Sequence, residues 1–140
     1  MITDTVMNTL FELKTKIAID MALYEHMKQR AIDLLSDAEN GQYTQAVVLR
    51  SVLGNAYGAV IQNVLSEEKT DEESLLQTIR EANDTEVLCA LCMWCDRAID
   101  IPSHAFREQL VTLNPKNADT LLFVMTADGV SGIKLSTTMK

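Results

Sequence analysis

Hydrophobic residues recur at intervals of three and four over the first forty positions, which is the spacing of one buried face of a helix. Neither Gly nor Pro interrupts residues 4–40. The pattern predicts either one helix of more than thirty residues or two helices in succession, ending at Asn40-Gly41. The apolar positions of this stripe are Val6, Leu10, Leu13, Ile17, Met21, Tyr24, Met27, Ala31 and Leu34.

Two later segments are apolar almost throughout. Between Ala46 and Gln62 the only charged residue is Arg50, and apolar residues again recur every three or four positions. We therefore predict a central helix over residues 44–65. The second segment, Val87 to about Ile99, is apolar on nearly all sides and is predicted to form a deeply buried helix.

Shorter helices are predicted around these two. Thr70 and Glu73 have the spacing of a capping box, which predicts a helix over residues 70–82. Ser103 follows Pro102 and can cap a fifth helix, and a sixth is expected from residue 117. Residues 120–136 could instead form a β-hairpin or a short extended tail. Five Gly and two Pro are few for a β-sandwich or barrel, so the predicted fold is all-α: residues 1–140 as a single domain, an irregular bundle of five to six helices.

Composition and charge narrow the possible activities. With 140 residues, 47% of them hydrophobic, the chain can bury a core of its own. A formal charge of −8 disfavours nucleic acid and anionic membranes as partners. No apolar run is long enough to span a bilayer, and no secretory signal is evident. Three closely spaced cysteines cannot form a disulfide framework, so the chain is predicted to be cytoplasmic.

The three cysteines have two interpretations. Cys89, Cys92 and Cys95 would share one face of a helix, as buried thiols in a packed core. In a loop the same spacing could bind a metal or an iron–sulfur cluster, with His104 as a further ligand, or could respond to oxidants. No fourth cysteine exists and the intervening residues are apolar, so we expect buried thiols, no metal and no cofactor. A redox- or metal-responsive protein using these thiols is the alternative.

No catalytic pattern is recognisable, since the sequence has no phosphate-binding loop, no dinucleotide fingerprint and no nucleophile–base pair. Between positions 67 and 86 eight acids face two bases. Such a cluster either solubilises the surface or docks a partner with a basic surface. The sequence therefore predicts a small, acidic, non-enzymatic protein-binding module, such as an inhibitor, adaptor, immunity factor or chaperone. Self-association as a homodimer is a further possibility. The predicted partner-binding residues are Glu67, Glu68, Asp71, Glu72 and Glu73.

Overall fold

The computed structural model describes residues 18–38 and 41–139, and there it shows a mixed six-stranded sheet with three α-helices. The predicted all-α bundle is therefore wrong. No helix in these residues is long and apolar enough to cross a bilayer. Two 3-10 turns, Pro115–Asp119 and Leu135–Met139, complete the chain. The elements are α1 (Met21–Ser36), β1 (Gln45–Ser51), β2 (Ala56–Ile61), α2 (Thr70–Glu81), β3 (Val87–Trp94), β4 (Ile99–Asp100), α3 (His104–Leu113), β5 (Leu121–Thr126) and β6 (Gly129–Lys134).

The strands lie in the order β2-β1-β3-β5-β6, and the short β4 pairs with β3 outside that path. All neighbours are antiparallel except β3 and β5, which pair in parallel at Cys89–Leu121 and Ala90–Leu122. A parallel pair needs a long crossover connection, and the segment that contains α3 supplies it. This crossover brings the start of α3 beside the start of α2, where Ser103 lies within hydrogen-bond distance of Glu72.

Helices cover both faces of the sheet. On one face, α1 packs its buried residues against alternate residues of β1 and β3, among them Val48 and Leu91. On the other face, α2 and α3 pack against the intervening residues, among them Leu49 and Cys92. Successive side chains of a strand point to opposite faces, so a strand covered on both sides is apolar at every position. The helical residues that fill these two cores are Tyr24, Met27, Ala31 and Leu35 on the first face, and Leu75, Leu76, Ile79, Phe106 and Leu110 on the second.

This covering of both faces explains the two wrong central helices. Residues 44–65 form the antiparallel hairpin of β1 and β2, and its turn contains Gly54 with a φ of +95°. Residues 87–94 form β3, the strand that pairs with β1, β4 and β5. A short, wholly apolar run fits a buried strand as well as a buried helix, and periodicity alone does not separate them.

The other predicted elements agree in part. The helix predicted over 70–82 is α2, but Lys69 occupies its N-cap without a side-chain hydrogen bond, so the predicted capping box is wrong. Ser103 caps α3 as predicted. Instead of a sixth helix the chain forms a 3-10 turn, and the hairpin alternative for residues 120–136 is confirmed by β5 and β6. Of the helix predicted over 4–40, residues 21–36 are helical, and residues 4–17 and 39–40 lie outside the described residues.

Candidate functional site

A buried side-chain pair joins the starts of α2 and α3. The Ser103 hydroxyl accepts a hydrogen bond from the Phe106 backbone N–H at 3.2 Å and so caps α3. The same hydroxyl lies 3.2 Å and 3.3 Å from the two carboxyl oxygens of Glu72, in the first turn of α2. Because one lone pair of the hydroxyl already accepts from the backbone, its proton is free to be donated to Glu72. Residues 31 positions apart in sequence thus form one polar contact between two helix N-termini.

Glu72 is an unusual buried acid. Only 2% of its surface is exposed, although Glu is almost never fully buried without a partner. Burial raises the pKa of this carboxyl; the Ser103 hydrogen bond and the charge of Lys69 lower it, and the charge of Asp71 raises it further. The net pKa lies above the usual value for Glu. A carboxyl of this kind can hold a proton at a pH where a surface Glu has lost it, which suits general acid–base work.

Glu72 lines a small cavity between the β2–α2 connection and the first turn of α2. Its volume is about 160 Å³. Since a water molecule occupies about 30 Å³ of liquid, the cavity has room for about five waters. Backbone contacts hold its wall in place: the Gln62 N–H donates to Asp71 Oδ2 at 3.0 Å, and Lys69 Nζ donates to the Val64 carbonyl at 2.8 Å. The lining residues are Ile61, Gln62, Asn63, Ser66, Glu68, Lys69, Thr70, Asp71 and Glu72.

Arg107 holds the loop that carries Ser103. Its Nε donates to the Pro102 carbonyl at 2.9 Å, and its Nη1 donates to the Thr138 carbonyl at 3.2 Å. The guanidinium therefore ties the residue before Ser103 to the C-terminal 3-10 turn. Burial lowers the pKa of Arg107, and the charges of Asp100 and Cys92 raise it. At this depth the arginine fixes loop position through two directed hydrogen bonds rather than through an ion pair.

The structure divides the five acids that were predicted to bind a partner. Glu67, Glu68 and Glu73 are exposed and Asp71 is half-buried, and partner binding by these four stays a prediction. Partner binding by Glu72 also stays a prediction, but its side chain is buried against Ser103 instead of lying on the exposed surface. Its position in an acidic first helical turn concealed this, because acids there are also explained by the helix dipole.

The three cysteines do not form a cluster. Cys89 faces α1, with its Sγ 3.4 Å from Met27 Sδ, whereas Cys92 belongs to the core on the opposite face of the sheet. Burial raises the pKa of Cys89 to about 11 and that of Cys92 well above its usual value. The prediction of buried thiols is confirmed for these two residues, and the helix is corrected to a strand. Cys95 is half-exposed beyond the end of β3.

His104, considered as a further metal ligand, lies on the exposed side of α3. Its Nε2 is 2.7 Å from Glu108 Oε1, one helical turn away. Within residues 18–38 and 41–139, no three His, Cys, Asp or Glu side chains are placed to hold one metal ion. The alternative of a metal-responsive cysteine cluster is therefore wrong, because its thiols point to different faces of the sheet.

No family model matches the sequence, and no curated protein matches it in sequence. Solved structures do match the fold. Cytidine deaminase from Mycobacterium leprae is 14% identical, with a TM-score of 0.57 over 83% of this chain and 96% of that one. Cytidine deaminase from Mycobacterium tuberculosis is 10% identical, with a TM-score of 0.61 over 82% of this chain and 92% of that one. The chain has the cytidine deaminase fold.

This fold corrects the functional prediction. A non-catalytic protein-binding module was expected because no catalytic motif could be found, whereas the matching structures are enzymes. The feature that the sequence does not reveal is a tertiary contact. Glu72 and Ser103 belong to the first turns of separate helices and lie 31 positions apart, so nothing in the sequence links one to the other.

Zinc deaminases have the signature H-x-E…P-C-x-x-C, in which the His and both Cys bind zinc and the Glu transfers protons. At the starts of α2 and α3 this chain has Thr70-Asp71-Glu72 and Pro102-Ser103-His104-Ala105-Phe106. Matched to the spacing of this signature, the glutamate and the proline are present, and Thr70, Ser103 and Phe106 fall where the pattern has the His and the two Cys.

The residues at these positions do not fit zinc. Neutral hydroxyls are not among the Cys, His, Asp and Glu ligands that zinc takes in proteins, and a phenyl ring has no donor atom. The Ser103 hydroxyl is already engaged by Glu72 and by the backbone, and the Phe106 ring is buried in the core with 1% of its surface exposed. Glu72 is the titratable side chain at the contact between the two helix starts.

Proposed function

We propose that this chain acts on a small, uncharged heterocycle of the cytosine class, bound in the Glu72 cavity, by a proton transfer that needs no metal. The observation that carries the proposal is the position of Glu72. It is a buried carboxyl with a raised pKa, it lines a cavity, and it stands where the fold's signature has its proton-transferring glutamate. The name of the matching enzymes suggests the class of heterocycle.

The size and charge of the cavity limit the ligand. A volume of about 160 Å³ is below the usual 300–1,000 Å³ of ligand pockets, so it suits a single ring, with any sugar lying outside. Three carboxyl groups line the cavity, those of Glu68, Asp71 and Glu72, against the single amine of Lys69. Such a lining repels phosphate, because like charges brought together oppose binding. A base or nucleoside is therefore favoured over a nucleotide.

The proposed step uses the proton of neutral Glu72. The carboxyl O–H donates to a ring nitrogen or exocyclic oxygen of the heterocycle, the proton moves to that atom, and the carboxylate that remains keeps its hydrogen bond from Ser103. The proton returns to Glu72 when it leaves another position of the ring. Arg107 supports this by fixing the Pro102–Ser103 loop, which orients the hydroxyl. Only bonds to hydrogen form and break in this step, one proton being gained at one ring position and one lost at another, so it exchanges or relocates protons.

Binding and proton transfer can be measured separately on the purified chain. Calorimetry with cytosine, uracil, cytidine and cytidine monophosphate should show binding of the base or nucleoside, and binding of the nucleotide at least about tenfold weaker, or about 1.4 kcal/mol. NMR in deuterated water then follows exchange of the carbon-bound ring hydrogens of the heterocycle, because its nitrogen-bound hydrogens exchange with water without the protein.

The variant Glu72→Gln keeps the size of the side chain and removes the transferable proton, so it should retain binding and lose exchange. Glu73→Gln changes the exposed neighbour and serves as the matched control, with exchange unchanged. Absence of binding for every compound would overturn the proposal. Binding without exchange by the native chain, or equal exchange by Glu72→Gln, would overturn its acid–base part.

The cytoplasmic location also belongs to this proposal. It rests on the free thiols, two of which are buried, because free cysteines persist in a reducing compartment. The proposed location is tested by labelling the chain and measuring which fraction of the disrupted cells contains it.

A further inference from the structure

We infer that this chain keeps the backbone of a metal centre from which the ligands have been replaced, so that Thr70→His, Ser103→Cys and Phe106→Cys together create a zinc site that the native chain lacks. This inference concerns the chain's own residues and does not depend on the substrate. It rests on the contact between two helix N-termini and on the side chains that now occupy it.

Ser103 and Phe106 have the backbone arrangement that paired ligands on one helical turn require. Ser103 is the N-cap of α3, and its hydroxyl accepts from the Phe106 N–H at 3.2 Å. The two residues are three positions apart and therefore lie on the same side of the first turn. A thiolate at the cap is also favoured by the positive end of the helix dipole.

The first turn of α2 lies within one side chain of this pair. The Glu72 carboxyl reaches the Ser103 hydroxyl at 3.2 Å, so the two helix starts approach to the distance that a shared ion requires. Thr70 lines the same cavity as Glu72. Thr70 is two positions before Glu72 in the same first turn, so a histidine there would add a third ligand from a separate helix, as in a zinc site built from two elements.

The native residues fill the space that an ion would take. The Phe106 ring packs into the core with Ile79, Leu110 and Cys92. The Ser103 hydroxyl already makes hydrogen bonds to the Glu72 carboxyl and to the α3 backbone. The contact between the two helices is thus made by a hydrogen bond and by the packing of a hydrocarbon ring. Neither Ser103 nor Phe106 offers a negatively charged thiolate that would attract a metal ion.

Zinc content after dialysis and cobalt spectroscopy test this inference. The native chain should hold fewer than about 0.1 zinc ions per chain, whereas the triple variant should hold about one and give the absorption of tetrahedral cobalt thiolate when loaded with cobalt. The matched control is the triple variant Thr70→His, Ser103→Cys, Glu108→Cys. It has the same added residues, but one thiol lies on the exposed side of α3. This control should bind zinc at least about a hundredfold more weakly than the designed site.

Circular dichroism with and without zinc separates folding from binding, because Phe106 is a core residue. If the triple variant does not fold, zinc binding is measured instead on the double variant Thr70→His, Ser103→Cys. This variant keeps the core residue Phe106 and offers two new ligands beside Glu72. Zinc binding by the double variant that is tighter than in the native chain supports the inference, and no gain overturns it. A native chain with one dialysis-resistant zinc, or a folded triple variant that binds no better than its control, also overturns it.

Discussion

Replacing Ser103 with alanine removes two interactions of one hydroxyl. The cap on the Phe106 N–H is lost, which typically costs about 1 kcal/mol of stability. The hydrogen bond to the buried Glu72 carboxyl is lost as well, and leaving a buried acceptor without its donor costs about 1–3 kcal/mol. We therefore expect Ser103→Ala to lower the free energy of unfolding by about 2–4 kcal/mol, a large part of the 5–15 kcal/mol of a typical domain.

The pH dependence of this loss follows from the pKa of Glu72. Burial raises the pKa of this carboxyl above its unfolded value. The stability that its neutral form contributes is therefore complete below the unfolded pKa and is lost as the pH rises through the folded pKa. The Ser103 hydrogen bond lowers that pKa, which means that it stabilises the charged form. Removing the bond must therefore cost more above the folded pKa than below it.

Urea unfolding followed by circular dichroism measures the effect at about pH 4, below the raised pKa of Glu72, and at about pH 8, well above the ordinary carboxyl range. Ser74→Ala is the matched control, since Ser74 is an exposed serine of α2 and should change stability by less than about 0.5 kcal/mol. In a double-mutant cycle with Glu72→Ala, a direct bond should give a coupling energy of about 0.5–3 kcal/mol at pH 8. Equal losses at both pH values together with a coupling energy near zero would refute the reasoning.

Three further predictions follow from buried polar groups. Glu72→Gln removes the ionisable carboxyl and keeps the shape of the side chain, so the unfolding free energy of this variant should vary less with pH than that of the native chain. At about pH 8 the variant should have the higher unfolding free energy. Parallel curves of unfolding free energy against pH for the two proteins would contradict this. Asn117→Ala removes three hydrogen bonds to backbone groups and should cost at least about 3 kcal/mol in urea unfolding, while a loss below about 1 kcal/mol would show that water replaces them. With a disulfide reagent at about pH 8, Cys95 should react first, and Cys89 and Cys92 at least about a hundredfold more slowly. The Cys89 thiol, with a pKa of about 11, is ionised in only about one molecule in a thousand at this pH. Three equally fast thiols, or a fast thiol remaining in Cys95→Ser, would contradict this prediction.

The elements that could be predicted from sequence are those with a local cause. Ser103 was identified as the cap of α3 because a cap is a bond between neighbours in sequence. α2 was identified by its spacing of Leu75, Leu76 and Ile79 together with its acidic first turn. Each of these elements has one face in the core and one in water, so its periodicity is visible in the sequence.

The central strands could not be predicted in the same way, because the information that separates a buried strand from a buried helix is not local. β1 and β3 are covered by helices on both sides and are apolar at nearly every position. One turn signal was present in the sequence, Gly54-Asn55 between β1 and β2, whereas the turn between β3 and β4 places Arg97 at a φ of +76° without a glycine. The β-branched pairs Val47-Val48 and Val60-Ile61, on either side of this Gly54-Asn55 turn, are typical of a hairpin.

The absence of metal ligands changes what Glu72 can do, and this gives the site its own pH behaviour. A divalent cation beside a carboxyl stabilises the charged form, so a metal centre of this fold would hold its glutamate ionised. Here the charges of Lys69 and Asp71 shift the pKa of Glu72 in opposite directions, and burial has the largest effect. Folding therefore shifts Glu72 toward its neutral form, which can donate a proton where a carboxylate cannot. The proposed proton exchange should therefore fall as the pH rises through the folded pKa of Glu72, and it should fall at a lower pH if a cation is placed beside it. A rate that rises with pH across that range would identify the carboxylate as the active form, and Glu72 would then accept the first proton instead of donating it.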